Sequence, residues 1–175
     1  MKGAKSYKNF PIWIVLLSNI LAISIYVIGA YILAGFGVLF SALYLLYCLL
    51  MEIMVLRRSC VDCYYYGKVC GLGKGKLCPL LFKKGKPERF VKKEVSLFSV
   101  LPDFMVFIFP IVGGIILSIR NFTWLLVALM IILAVLSLGG NAVMRGSFVC
   151  KYCKQREIGC PAEKLFSKEK TRNRR

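Results

Sequence analysis

Residues 11–33 read PIWIVLLSNILAISIYVIGAYIL, 23 positions without a charge. Residues 36–56 follow almost at once with FGVLFSALYLLYCLLMEIMVL, 21 positions in which Glu52 alone is charged. A helix rises about 1.5 Å per residue, so about 20 apolar residues cross the ~30 Å hydrocarbon core of a bilayer. Two further runs meet that length: 97–119, with Asp103 as its one charge, and 124–144, with none. A buried helix of a soluble protein would show a polar stripe and rarely exceeds about 14 apolar residues. The first run is also too long for a secretory signal, and no small-residue cleavage site follows it. Four membrane spans are expected.

Composition agrees. Of 175 residues, 58% are hydrophobic and the mean hydropathy is +0.69, yet the formal net charge is +17. A soluble domain carries roughly 45–50% apolar residues, so such an excess beside such a charge demands segregation along the chain. A soluble globule and a disordered polypeptide are both excluded. Histidine is absent, which removes histidine catalysis, histidine-ligated haem and His-containing zinc sites.

The basic residues orient the spans. Lys2, Lys5 and Lys8 precede the first; loop 57–96 holds eleven lysines and arginines against three acids, and segment 145–175 holds ten against three. The remaining connections are Ala34–Gly35 and the short 120–123 link. Lysine and arginine are retained on the cytoplasmic side. Both termini and the long loop are therefore expected in the cytosol, with the chain in the cytoplasmic membrane. Trp13 and Trp124 then anchor opposite faces.

The expected fold is an all-α membrane protein: four transmembrane helices as two helical hairpins, a tandem repeat, with a small cysteine-rich cytosolic loop and tail. The organisation is a cytosolic N-terminus (1–10), hairpin one (11–56), a basic cysteine-rich loop (57–96), hairpin two (97–144) and a basic cysteine-rich tail (145–175).

The loop carries Cys60-x2-Cys63-x6-Cys70-x7-Cys78-Pro79, and the tail Cys150-x2-Cys153-x6-Cys160-Pro161. Each member of the first triplet stands ninety residues before its counterpart, an offset that, within a few residues, also carries span one onto span three and span two onto span four. Only the cysteines match between 60–70 and 150–160, so the coincidence of spacing with topology is the argument for duplication. Two spans per half give both repeats one orientation, related by an axis along the membrane normal, with both cysteine clusters on the same side.

Cys-x2-Cys is the spacing at which one turn offers two thiolates to one ion, and four thiolates complete a zinc tetrahedron. The loop cannot build a hydrophobic core of its own, which calls for a staple. Cytosolic thiols are normally reduced, so a metal is favoured over disulfides. The candidate ligands are Cys60, Cys63, Cys70, Cys78, Cys150, Cys153 and Cys160, with zinc favoured over an iron–sulfur cluster. Cys60, Cys63, Cys70 and Cys78 can close one site alone, leaving Cys150, Cys153 and Cys160 one ligand short. Pairing of Cys60 and Cys63 with Cys150 and Cys153 across the axis is the other grouping. Cys48, inside span two, is expected to be a small packed residue.

Other signals are weaker. Gly71-Leu72-Gly73-Lys74-Gly75-Lys76 lacks the spacing of a phosphate loop and reads as a flexible linker. The basic residues of 83–93 and Arg172–Arg175 meet anionic headgroups more simply than nucleic acid, which is disfavoured as a partner. Residues 94–101 read as a short interfacial helix before Pro102. No catalytic constellation is present. The expected function is a structural or partner-docking metal module tethered to the bilayer, open to a cytosolic protein partner. The rivals are a membrane iron–sulfur or dithiol redox protein, and a small transporter using Glu52 and Asp103.

Overall fold

The computed structural model describes residues 6–92 and 97–160. The expectations for Lys2, Lys5, Lys93, residues 94–96, Pro161 and Arg172–Arg175 lie outside those residues. Among the described residues four helices are long and apolar enough to cross a membrane: Ile12–Ala34, Val38–Cys60, Leu101–Arg120 and Trp124–Tyr152.

Helix α1 (Ile12–Ala34) opens after Pro11, whose missing N–H costs nothing at a helix start. It ends at Gly35, and Gly37, with φ +125, turns the chain into α2 (Val38–Val55). Then come α3 (Lys74–Leu81), α4 (Pro87–Lys92), α5 (Leu97–Arg120), α6 (Trp124–Ala134), α7 (Asn141–Val143) and α8 (Gln155–Ile158).

Two rods run past the apolar stretches that define them. Rod two continues from α2 as a wide π-helical turn over Leu56–Cys60. Rod four passes from α6 through π-helical turns at Val135–Gly140 and Met144–Val149, closing in a tight 3-10 turn at Cys150–Tyr152. Charge at Arg57 and Arg145 ends the apolar run but not the helix, because arginine is a good helix former. Each rod therefore delivers a Cys-x2-Cys motif from its own last turn.

Residues 97–101 are not a separate interfacial helix, since α5 runs unbroken from Leu97 through Pro102 and Pro110. Pro102 falls near the start of α5, where few amides have helical partners to lose. Of the expected flexible linker, residues 71–73 form a turn and Lys74–Lys76 open α3, in which Gly75 and Cys78 are buried.

Helix α1 packs on α2, α5 and α6, and α5 packs on α6. Ile25, Ile32 and Leu133 form the mid-bundle core, flanked by Ile111 and Leu129. Beside it, Ala30, Tyr44 and Cys48 close the α1–α2 seam, so Cys48 is the packed residue its surroundings call for. The outer faces are apolar and open: Leu39, Leu46, Leu50, Ile119 and Trp124 are all exposed. Such continuous apolar surface suits lipid rather than water.

A third cluster lies at one end, where Phe10, Ile14, Tyr65, Met144 and Val149 are buried together. It draws on the N-terminal segment, the loop and rod four. The cysteines sit around it.

Candidate functional site

The two Cys-x2-Cys motifs fold alike. The Cys63 N–H donates to the Cys60 carbonyl at 3.3 Å and the Tyr66 N–H to the Cys63 carbonyl at 3.1 Å. Ninety residues on, the Cys153 N–H donates to the Cys150 carbonyl at 3.3 Å and the Arg156 N–H to the Cys153 carbonyl at 3.1 Å.

The stretch between Cys70 and Cys78 is shaped by glycine and proline. Pro79 has no N–H for the carbonyl four residues back, that of Gly75; the Gly67 N–H takes it at 2.9 Å. Gly75 itself has no room for a Cβ, which would run into the Tyr65 and Lys68 carbonyls. Its own N–H donates to Cys70 Sγ at 3.2 Å. This knot holds Cys78 fully buried, with its Sγ directed at the Leu56 carbonyl at 3.8 Å.

The sulfur atoms fall into two overlapping neighbourhoods. Cys60 lies within electrostatic range of Cys70, Cys78 and Cys63. Cys63 also interacts with Cys160, and Cys153 with Cys63, Cys150 and Cys160. Burial pushes the Cys63 thiol up, opposed by the Tyr65 and Tyr64 backbone amides and reinforced by Cys70 and Cys160. Burial likewise drives Cys153 up to about 12, against the Gln155 amide and with the neighbouring cysteines. Cys78 is raised by burial and then by Cys70. Without a cation these thiols stay protonated at neutral pH.

Three segments are stitched together around them. The Tyr7 N–H donates to the Tyr152 carbonyl at 3.0 Å and the Phe10 N–H to the Val69 carbonyl at 3.0 Å. Tyr65, almost wholly buried, donates its hydroxyl hydrogen to the Tyr7 carbonyl at 2.6 Å and accepts the Lys154 N–H at 3.0 Å. Gln155 Oε1 accepts the Tyr64 N–H at 2.8 Å. Lys68 and Lys154 lie 3.9 and 5.5 Å from the centre of the Tyr64 ring. N-terminus, loop and tail thus share one end of the bundle.

Glu52 is engaged. It accepts the Tyr26 hydroxyl at 2.5 Å and forms an ion pair with Lys74 at the head of α3. Asp103 stands within range of Arg145, Lys74 and Arg58, and the neighbouring Pro102 carbonyl accepts the Tyr47 hydroxyl at 2.8 Å.

All seven loop and tail cysteines are therefore at this end, whereas Cys48 is buried in the seam and has no share in it. Among the described residues no three cysteine or carboxylate side chains are arranged to hold a metal ion. Tyr65, Gln155 and Lys74 organise the site without belonging to the cysteine pattern. Gln155 acts through its side-chain amide, on the Tyr64 N–H and the Gly159 carbonyl, which no spacing of cysteines signals. Tyr65 had no signal either.

No family model, curated protein or solved structure matches the chain.

Proposed function

We propose that the chain is a four-span protein of the cytoplasmic membrane, built as two helical hairpins, whose cytosolic end is an all-thiolate metal module. Zinc is the favoured ion, and the role is structural: an ion would lock a basic surface in place beside the inner leaflet, for docking a cytosolic protein. What carries the reading is the meeting of two Cys-x2-Cys turns at one bundle end, with Cys63 in range of both groups. Internal duplication is supported by the matching turn bonds at an offset of ninety residues. The cytosolic assignment rests on the lysines and arginines gathered there.

Cys60, Cys63, Cys70 and Cys78 are the preferred first ligand set. Amides already directed at Cys63 favour the thiolate form that a metal requires, and the Gly75 N–H is directed at Cys70 Sγ. Capture involves rotation of thiol side chains inward and release of their protons, so binding and ordering are one event.

Elemental analysis of the purified full chain tests this. The expected result is a colourless protein with at least one zinc per chain. Metal-free protein from a metal-replete preparation overturns it. A brown sample with broad visible absorption assigns an iron–sulfur redox protein instead. The transporter alternative has its own test: charge-neutral substitutions at Glu52, which pairs with Lys74, and at Asp103 that leave transport phenotypes untouched remove it.

A further inference from the structure

Helix α3 has two unlike faces. Gly75 and Cys78 face inward and are buried. Leu77, Leu80 and Leu81, at i, i+3 and i+4, form one outer face and are 53%, 79% and 59% exposed. Three adjacent leucines facing water on so short a helix would be costly.

The position of the helix removes that cost. Just before it, the Ser18 hydroxyl of α1 donates to the Gly71 carbonyl at 2.9 Å. A Cβ on Gly73 would meet Val15 and Asn19 of α1 at 2.9 Å. Ser18 lies six residues inside α1, about 9 Å along its axis. On the other side, Lys74 pairs with Glu52 and Cys78 is directed at the Leu56 carbonyl. Glu52 lies five residues, about 7 Å, inside Arg57, where the apolar run of rod two ends. The segment runs beside the rods, not beyond them. Its partners on rod two move outward along the segment, from Glu52 at Lys74 to Leu56 at Cys78, and the Gly85 N–H donates to the Val61 carbonyl at 3.0 Å.

We infer that residues 71–81 form a re-entrant element in the cytosolic leaflet, with Leu77, Leu80 and Leu81 against lipid acyl chains. Lys83, Lys84 and Lys86 then stand at the level of anionic headgroups. Irregular backbone at this depth is tolerated only where its polar groups are satisfied by protein. Here the Gly71 carbonyl is bonded by Ser18, the Gly75 carbonyl by Gly67, and the Gly73 N–H by the Cys70 carbonyl at 2.9 Å. A lysine this deep needs a counter-charge, and Glu52 is its partner. Helix α3 packs on Leu56–Cys60, the last turn of rod two, and the outer residues just before that turn, Leu50, Ile53 and Met54, are themselves open and apolar. Lipid is therefore its occupant rather than a soluble protein. The inference rests on the membrane reading above, and not on any metal.

The test uses the full chain with Trp13→Phe and Trp124→Phe, reconstituted in phosphatidylcholine–phosphatidylglycerol vesicles brominated on the acyl chains. Single tryptophans are placed by Leu80→Trp on α3, Leu50→Trp on rod two and Ile158→Trp on the tail. Expected is a loss of emission for Leu80→Trp matching that for Leu50→Trp, with Ile158→Trp unquenched. An unquenched Leu80→Trp beside a quenched Leu50→Trp overturns the inference and leaves the spans intact. Failure of both overturns the membrane reading with it. Equal quenching at Ile158→Trp overturns it too, since the whole end would then lie in lipid.

Discussion

Tyr44 donates its hydroxyl hydrogen to the carbonyl of Val106 at 2.8 Å. That carbonyl stands four residues before Pro110, so the helical amide that would ordinarily bond it is missing. A residue of α2 thereby repairs a defect in α5. Tyr44→Phe is expected to lower stability in detergent by about 1 kcal/mol, with the carbonyl left unsatisfied. In a Pro110→Ala background the restored amide takes the Val106 carbonyl, so the same change costs less. Equal costs in both backgrounds, measured by thermal unfolding, would break the link between the two residues.

Gly29 makes room for that junction, since a Cβ there would meet the Tyr44 hydroxyl and lie 2.9 Å from Pro110 Cγ. Gly29→Ala is expected to destabilise the bundle by about 1–3 kcal/mol through overpacking. Gly139→Ala, where a Cβ meets nothing within 4 Å, is the control and leaves the midpoint unchanged or slightly raised.

The four rods were legible because their signal is one of length and hydropathy, which needs no tertiary contact to read. Rods two and four were read short for a related reason: the charges of Arg57 and Arg145 mark where lipid ends, whereas helix ends are set by backbone bonding. The cysteine spacing pointed to one end of the bundle. The order between Cys70 and Cys78 was illegible, because glycine and proline also spell a linker. Only the carbonyls of Tyr65 and Lys68, brought close by folding, reveal why Gly75 has no side chain.

The ion pair between Lys74 and Glu52 ties α3 to rod two. Both side chains retain some exposure, so the pair contributes about 1 kcal/mol rather than the several of a fully buried one. Glu52→Gln and Lys74→Gln are each expected to raise maleimide labelling of buried Cys78, read by mass spectrometry. The exchange Glu52→Lys with Lys74→Glu restores protection. Labelling of Cys78 that ignores all three variants would show that α3 is held by its backbone bonds alone.

Cys153 is held up to about 12, from an ordinary 9.0, mainly by burial. A thiol whose folded value is raised contributes stability below its unfolded value and loses it as pH climbs toward the folded one. The metal-free protein is thus expected to weaken progressively from about pH 9 upward. Alkylation of Cys153 should keep accelerating over the same range instead of levelling off where an exposed thiol does. Zinc uptake works in the opposite sense, because it expels these protons, so apparent affinity rises with pH. A plateau in Cys153 alkylation near pH 9 would mean that its thiol is not buried as described.

Gly75 joins three features: its N–H reaches Cys70 Sγ, its carbonyl, left without a helical donor by Pro79, accepts the Gly67 N–H, and its missing Cβ admits two other carbonyls. Gly75→Ala sets a methyl group against backbone oxygens, which cannot swing aside as a side-chain tip can. The first turn of α3 must therefore shift, taking Cys70 and Cys78 apart from Cys60 and Cys63. Expected are fast maleimide labelling of Cys78 and loss of zinc from the first ligand set, with far-ultraviolet helicity unchanged because the four rods do not depend on this turn. Retention of full zinc content by Gly75→Ala would mean that the ligands of the ion do not include the Cys70–Cys78 segment, and would move the site to Cys150, Cys153 and Cys160.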